Sequence, residues 1–212
     1  MSKYAIDINL KDDVSLEFYS MIQALEDTID SKIPENEVLL CVWVADHSPG
    51  TKMYVTTDDL GTVKFAPIEG LTWESLEQEV PEIIPFYEKY PLEKTFVQVR
   101  DQNVPPHRHR HSITSCWTMT FINCEAEGDL KFYEPKDPAT FNENEQITWD
   151  MSLWNVLDEL TTKPNSVYAF DTWNWHGWHT EGSKPIITNF CIKGSSSKEA
   201  ANEIVNRVLA KS

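Results

Sequence analysis

From Val14 to Asp30 the apolar positions Val14, Leu16, Phe18, Met21, Ile22, Leu25 and Ile29 recur near the helical period, which predicts an amphipathic helix over 14–31 covering one side of a sheet. The rhythm then shortens. Leu39–Val44, Met53–Thr56 and Val63–Phe65 read as strands, with a turn at Asp58–Gly61, and together they predict a β-meander. Thr72 is placed to cap a helix running through Leu76 and Val80 to Pro81, followed by an irregular aromatic run to Tyr90 and Pro91. Short strands follow at 94–100, 113–122, 129–133, 166–171 and 186–192, a spacing that predicts a mainly β sandwich or barrel. The stretch 136–164 reads as an insertion with an acidic loop at Asn142–Glu145 and a helix spanning Leu153, Val156, Leu157 and Leu160, placed to lid a barrel mouth. The chain closes with a helix signalled by the capping box Ser196–Glu199 and the stripe Ile204, Val205, Val208 and Leu209.

These elements group into a single domain of 212 residues: supporting helices and strands over 1–92, a β core over 93–194 and a terminal helix over 195–212. With 34 acidic against 18 basic residues, net −16, the chain lacks the cationic surface that phosphate backbones require, so no nucleic-acid partner is expected. No apolar run approaches the roughly 20 residues of a membrane span, and the N-terminus leads into no signal-peptide core, so a cytoplasmic protein without a membrane partner is expected. Cys41, Cys116, Cys124 and Cys191 sit in apolar segments without a Cys-x-x-Cys pair and read as reduced core thiols.

The chemistry concentrates in two short segments. In Val104-Pro105-Pro106-His107-Arg108-His109-Arg110-His111, alternate residues of an extended strand share one face about 7 Å apart, so His107 and His109 present imidazoles to one side. Imidazole is the commonest ligand for divalent transition metals. His111 shares that face, but three imidazoles along one strand span about 13 Å and cannot all reach one ion. The two prolines lack backbone donors, and His107 is expected to begin the strand at the barrel rim. An alternating His-Arg run also suits a charged edge strand that discourages edge pairing.

The second segment, Phe170 to His179, weakens that plainer reading. His176 and His179 are three residues apart and fall on opposite faces, so one turns inward. Phe170, Thr172, Asn174, His176 and Trp178 share a face, which makes His176 the candidate third ligand and Asn174 and Trp178 candidates to touch a substrate. His47, in the loop Asp46–Gly50, reads as a surface residue.

In order, Val104–His109, the strand Trp117–Ile122, Gly128-Asp129-Leu130-Lys131-Phe132, the strand Pro164–Asp171, Trp175-His176 and Gly182-Ser183-Lys184 resemble the Fe(II)- and 2-oxoglutarate-dependent oxygenases, in particular the prolyl hydroxylase and aspartyl/asparaginyl β-hydroxylase branches. The resemblance covers about residues 95–193 and implies a double-stranded β-helix, a jelly-roll or cupin-like barrel. It departs where the family places His-x-Asp, because His109 stands in the acidic position; either His109 coordinates or water fills the place. Asp171 would serve only if its strand bulged.

The resemblance implies a hydroxylase acting on a small molecule or a peptide, with Fe(II) held by His107, His176 and His109. It places Lys184 against the distal carboxylate of 2-oxoglutarate, with Arg100 and Lys131 as alternatives. Two rival readings remain: a three-histidine cupin-type dioxygenase that needs no keto acid, and a non-catalytic β-barrel holding a structural metal or ligand.

Overall fold

The computed structural model describes residues 2–8, 10–58, 63–100, 103–108, 117–123, 127–140, 150–181, 186–193 and 197–210. Its strands are β1 (Ala5–Ile8), β2 (Glu37–Ala45), β3 (Pro49–Thr56), β4 (Val63–Thr72), β5 (Thr95–Arg100), β6 (Val104–His107), β7 (Trp117–Asn123), β8 (Gly128–Pro135), β9 (Trp154–Thr162), β10 (Ser166–Asp171), β11 (Trp175–His179) and β12 (Ile186–Cys191). The helices are α1 (Asp12–Asp30), α2 (Trp73–Glu79), α3 (Ile83–Lys89) and α4 (Lys198–Ala210). Every named strand pairing is antiparallel, giving an eight-stranded sheet in the order β1-β10-β7-β12-β5-β2-β3-β4 and a four-stranded sheet in the order β6-β11-β8-β9. From β5 to β12 the chain repeatedly crosses between the two sheets, only β8 and β9 being consecutive within one.

Strand alternation divides the core in two. On the outer face of the large sheet, Val42, Val44, Phe96, Trp117, Met119, Phe121 and Phe190 pack against the helices. Phe18 of α1 meets Phe86 at 4.8 Å, Tyr90 at 4.7 Å and Phe190 at 5.5 Å between ring centroids, the tilted and edge-on geometry that aromatic rings prefer. On the inner face, Ala5, Ile122, Tyr168, Phe170 and Ile187 meet Val104, Leu130, Phe132 and Trp178 of the small sheet. In the N-terminal third, β1 extends one edge of the large sheet and β2–β4 extend the other.

Local signals placed most elements. Thr72 caps α2 in a reciprocal box: its Oγ1 accepts from the Ser75 amide at 3.1 Å, and the Ser75 hydroxyl accepts from the Thr72 amide at 2.9 Å. At α4 it is Ser197 that caps, accepting from the Ala200 amide at 3.2 Å.

Three expectations change. The aromatic run after Pro81 is the helix α3, because Ile83, Phe86, Tyr87 and Tyr90 all turn into the core, and Pro85 lies in the first turn, where no amide donor is needed. The helix expected across Leu153–Leu160 is the strand β9. The edge of β8 leaves a row of backbone groups that only another strand can pair, and this outweighs the helical spacing of four apolar residues. His107 ends β6 rather than beginning it, since β6 is an edge strand and the two prolines sit where donors are not required. His111, the acidic loop at Asn142–Glu145 and the Asp59–Gly61 part of the expected turn lie outside the described residues. No described helix is long and apolar enough to cross a membrane.

Candidate functional site

Strands β6 and β11 form the site. His107 and His176 are direct cross-strand partners, and their rings lie 4.3 Å apart between centroids, tilted by 53°. The next paired residues are Trp178 and Val104, so β6 carries one extra residue and bulges at its prolines. Gly177 permits the close approach: a Cβ there would lie 2.5 Å from the Val104 carbonyl oxygen.

Both rings are oriented by their own backbone. The Nδ1 of His107 lies 2.9 Å from the Pro105 carbonyl oxygen, and that of His176 lies 2.8 Å from the Asn174 carbonyl oxygen. A carbonyl only accepts, so each Nδ1 carries the proton and each Nε2 the lone pair, the arrangement typical of metal-bound histidine. His176 is 3% exposed, and its ring meets the edge of Phe170 at 4.9 Å.

The pair lines a cavity of about 600 Å³ between the sheets, whose walls include Val97, Val99, Val104, Ile122, Leu130, Phe170, Trp178 and Ile187. Among the described lining residues, Arg108 is the charged one and the threonines, Asn189 and the two cysteines are neutral. The Thr120 hydroxyl donates to Asn189 Oδ1 at 2.6 Å, and burial pushes the thiols of Cys41 and Cys191 up to about 12 and about 11. Arg108 borders the cavity beside His107, but its guanidinium sits 4.5 Å over the Trp175 ring.

The cationic alternatives for the keto acid turn elsewhere. Arg100 shares the outer face of β5 with Phe96 and Gln98, and binds Asp30 at 2.8 Å and Glu26 at 3.4 Å on α1. Lys131 lies on the outer side of the small sheet, 3.1 Å from Glu159 and 3.6 Å from Asp129. Neither reaches the cavity, because even positions on β5 and odd positions on β8 face away from it. His109 and Lys184 lie outside the described residues.

Trp178 lines the cavity and donates to Thr162 Oγ1 at 2.8 Å. Asn174 does not line it; its amide donates to Asp171 at 2.7 Å, so its part in the site is the carbonyl that holds His176. Asp171 closes this turn by also accepting from the Trp173 amide at 3.0 Å, and burial raises its carboxyl above the usual range. His179 takes the outer face, 3.1 Å from the Tyr133 hydroxyl, where burial and then Lys131 lower its pKa.

The sequence reading missed the buried Thr120–Asn189 pair and the apolar extension carrying Trp43, Met53 and Phe65. A polar residue inside an otherwise apolar strand, Asn189, was the available signal. Asp46, His47 and Glu74 form an exposed surface trio with potential ligand atoms within 4.8 Å of one another, an arrangement common without an ion.

No protein-family model and no curated protein matches the chain. Among solved structures, E. coli ycfD matches with a TM-score of 0.37 and 10% sequence identity, over 99% of this chain and 56% of that one. The chain thus spans little more than half the length of that neighbour, and a likeness at this level carries no argument about fold or function.

Proposed function

We propose that the chain is an Fe(II)- and 2-oxoglutarate-dependent oxygenase, built on a double-stranded β-helix, that hydroxylates an organic substrate. The alternation of β5–β12 between two four-stranded layers, β10-β7-β12-β5 over β6-β11-β8-β9, supports the jelly-roll reading. The observation that carries the function is the His107–His176 pair, two imidazoles with lone-pair Nε2 atoms fixed by backbone carbonyls at the wall of an apolar cavity. This donor set suits a borderline divalent metal, with His109 as the further ligand.

If bound, iron and 2-oxoglutarate would supply the chemistry that splits dioxygen, one oxygen atom ending in succinate as the keto acid loses carbon dioxide and the other in the hydroxylated substrate. The chain's own part is positional. The Pro105 and Asn174 carbonyls hold the ring tautomers, Phe170 limits rotation of His176, and the apolar walls keep water from the reacting centre. With Arg100 and Lys131 turned away, Lys184 is the residue assigned to the distal carboxylate.

The described wall, whose one charged residue, Arg108, packs over Trp175, favours a second reading, a cupin-type dioxygenase whose substrate binds the metal directly. Anaerobic titration of the metal-free protein with Fe(II) and then 2-oxoglutarate separates the two. A visible charge-transfer band that needs both additions and is lost in His176→Ala supports the first. Iron binding without any response to 2-oxoglutarate supports the second, and no iron binding by His107 and His176 removes both.

A further inference from the structure

One apolar track crosses the inner face of the large sheet. Register pairs Ile122 with Ile187, Ile187 with Val99, Val99 with Cys41, Cys41 with Met53 and Met53 with Phe65, so six residues from β7, β12, β5, β2, β3 and β4 stand in one cross-strand row. All six line the cavity. At about 4.8 Å per strand the row runs about 24 Å.

The two ends of the row differ in exposure. Ile122 is 2% exposed and Ile187 5%, while Phe65 is 65% exposed at the open end on β4. Trp43 and Val63 widen this end, the Trp43 ring lying 6.5 Å from Phe65. The small sheet contributes β6, β11 and β8 to the closed part of the cavity, so the track leads from an apolar mouth toward His107 and His176.

We propose that this track binds an elongated, neutral, lipophilic small molecule, the substrate of the oxygenase reading, with its inner end at the histidine pair. The inference rests on that reading for the word substrate, but the binding itself needs no metal.

Chemistry argues for this occupant. A peptide would bring an N–H and a C=O per residue, and a row of Ile, Val, Cys, Met and Phe side chains pairs none of them. An anionic chain lying along the row would pass no charged residue, among those described; Arg108 stands at the histidine end of the cavity, with its guanidinium over Trp175. The Cys41 thiol in the middle of the row stays protonated, because burial pushes it up to about 12. A cavity of about 600 Å³ falls within the range of sites for small organic ligands.

The test is fluorescence titration of the full chain, without added metal, with the neutral lipophilic dye N-phenyl-1-naphthylamine, followed by displacement with 1-dodecanol, dodecanoate or an uncharged proline-rich decapeptide. Saturable one-site binding is expected, displaced by the alcohol at least about tenfold more effectively than by the carboxylate or the peptide. Phe65→Glu, at an exposed position that folding tolerates, should weaken the dye about tenfold, and Met53→Glu likewise, whereas Phe65→Leu should leave it within about threefold. Leu157→Glu, on the exposed apolar part of β9, should change nothing. The proposal is overturned if the dye does not saturate, if Leu157→Glu removes it while Phe65→Glu does not, or if carboxylate or peptide displaces better than alcohol. His176→Ala separates this inference from the oxygenase reading: it should abolish iron binding and leave the dye bound, and a chain that binds dye but no iron refutes only the oxygenase.

Discussion

The two faces of the large sheet are built from the same strands and have opposite character. On β12, Phe190 points outward into the aromatic cluster under the helices, while its neighbours Asn189 and Cys191 point inward to the cavity. On β5, Phe96 points outward, and Thr95, Val97 and Val99 point inward. Large rings fill the outer side and short or branched side chains leave room on the inner one. Packing density near that of a crystal holds the scaffold rigid, and the space left opposite becomes the site. The histidines belong to the other wall of that space, on β6 and β11, and the edge position of β6 leaves its bulge room to form.

If this division is right, truncating the outer side should cost far more than truncating the inner one. Phe190→Ala should destabilise by about 3–5 kcal/mol in urea unfolding, and Val97→Ala by about 1 kcal/mol, because the cavity already deprives Val97 of part of its contacts. Equal losses would mean that the cavity collapses onto its walls. The next largest effect concerns the metal. His176→Ala should weaken divalent metal binding by at least about a hundredfold in calorimetric titration, and His179→Ala by less than about threefold, since the two side chains occupy opposite faces of β11. A smaller loss, about tenfold, is expected for Gly177→Ala with the far-ultraviolet circular dichroism unchanged. The added Cβ would push β6 from β11 and separate the rings without removing either.

The smallest expected effect is a pH dependence on the outer side of the small sheet. Burial first, and Lys131 second, lower the His179 pKa below its usual 6.5, so the folded chain binds this proton less readily than the unfolded chain. The stabilisation is therefore complete above 6.5 and declines as the pH falls through the lower folded value. Urea midpoints at about pH 7.5 and about pH 5.5 should differ less in His179→Gln than in the parent chain. An unchanged difference would place the sensitivity elsewhere.

How much of this was legible beforehand depended on the range of the interaction. Helix α1, the Thr72 cap and the parity of His176 against His179 follow from neighbours within one or two turns or a few strand residues, and each was readable. β9 was not, since four apolar residues at helical spacing gave no hint that the open edge of β8 would claim them. Arg100 and Lys131 were plausible anchors for a keto acid until the strands fixed which way odd and even positions turned.

By itself the sequence determined that the chain is mainly β and that five of its six histidines fall in two short segments. Tertiary structure alone decided that His107 stands opposite His176, that an extra residue at the prolines bulges β6, and that six distant apolar residues line up into one track. The physical reason is that alternation and capping are local properties of the backbone, whereas register is chosen by the pairing of distant segments, 69 residues apart for His107 and His176 and 165 for Ala5 and Phe170, and no local pattern encodes it.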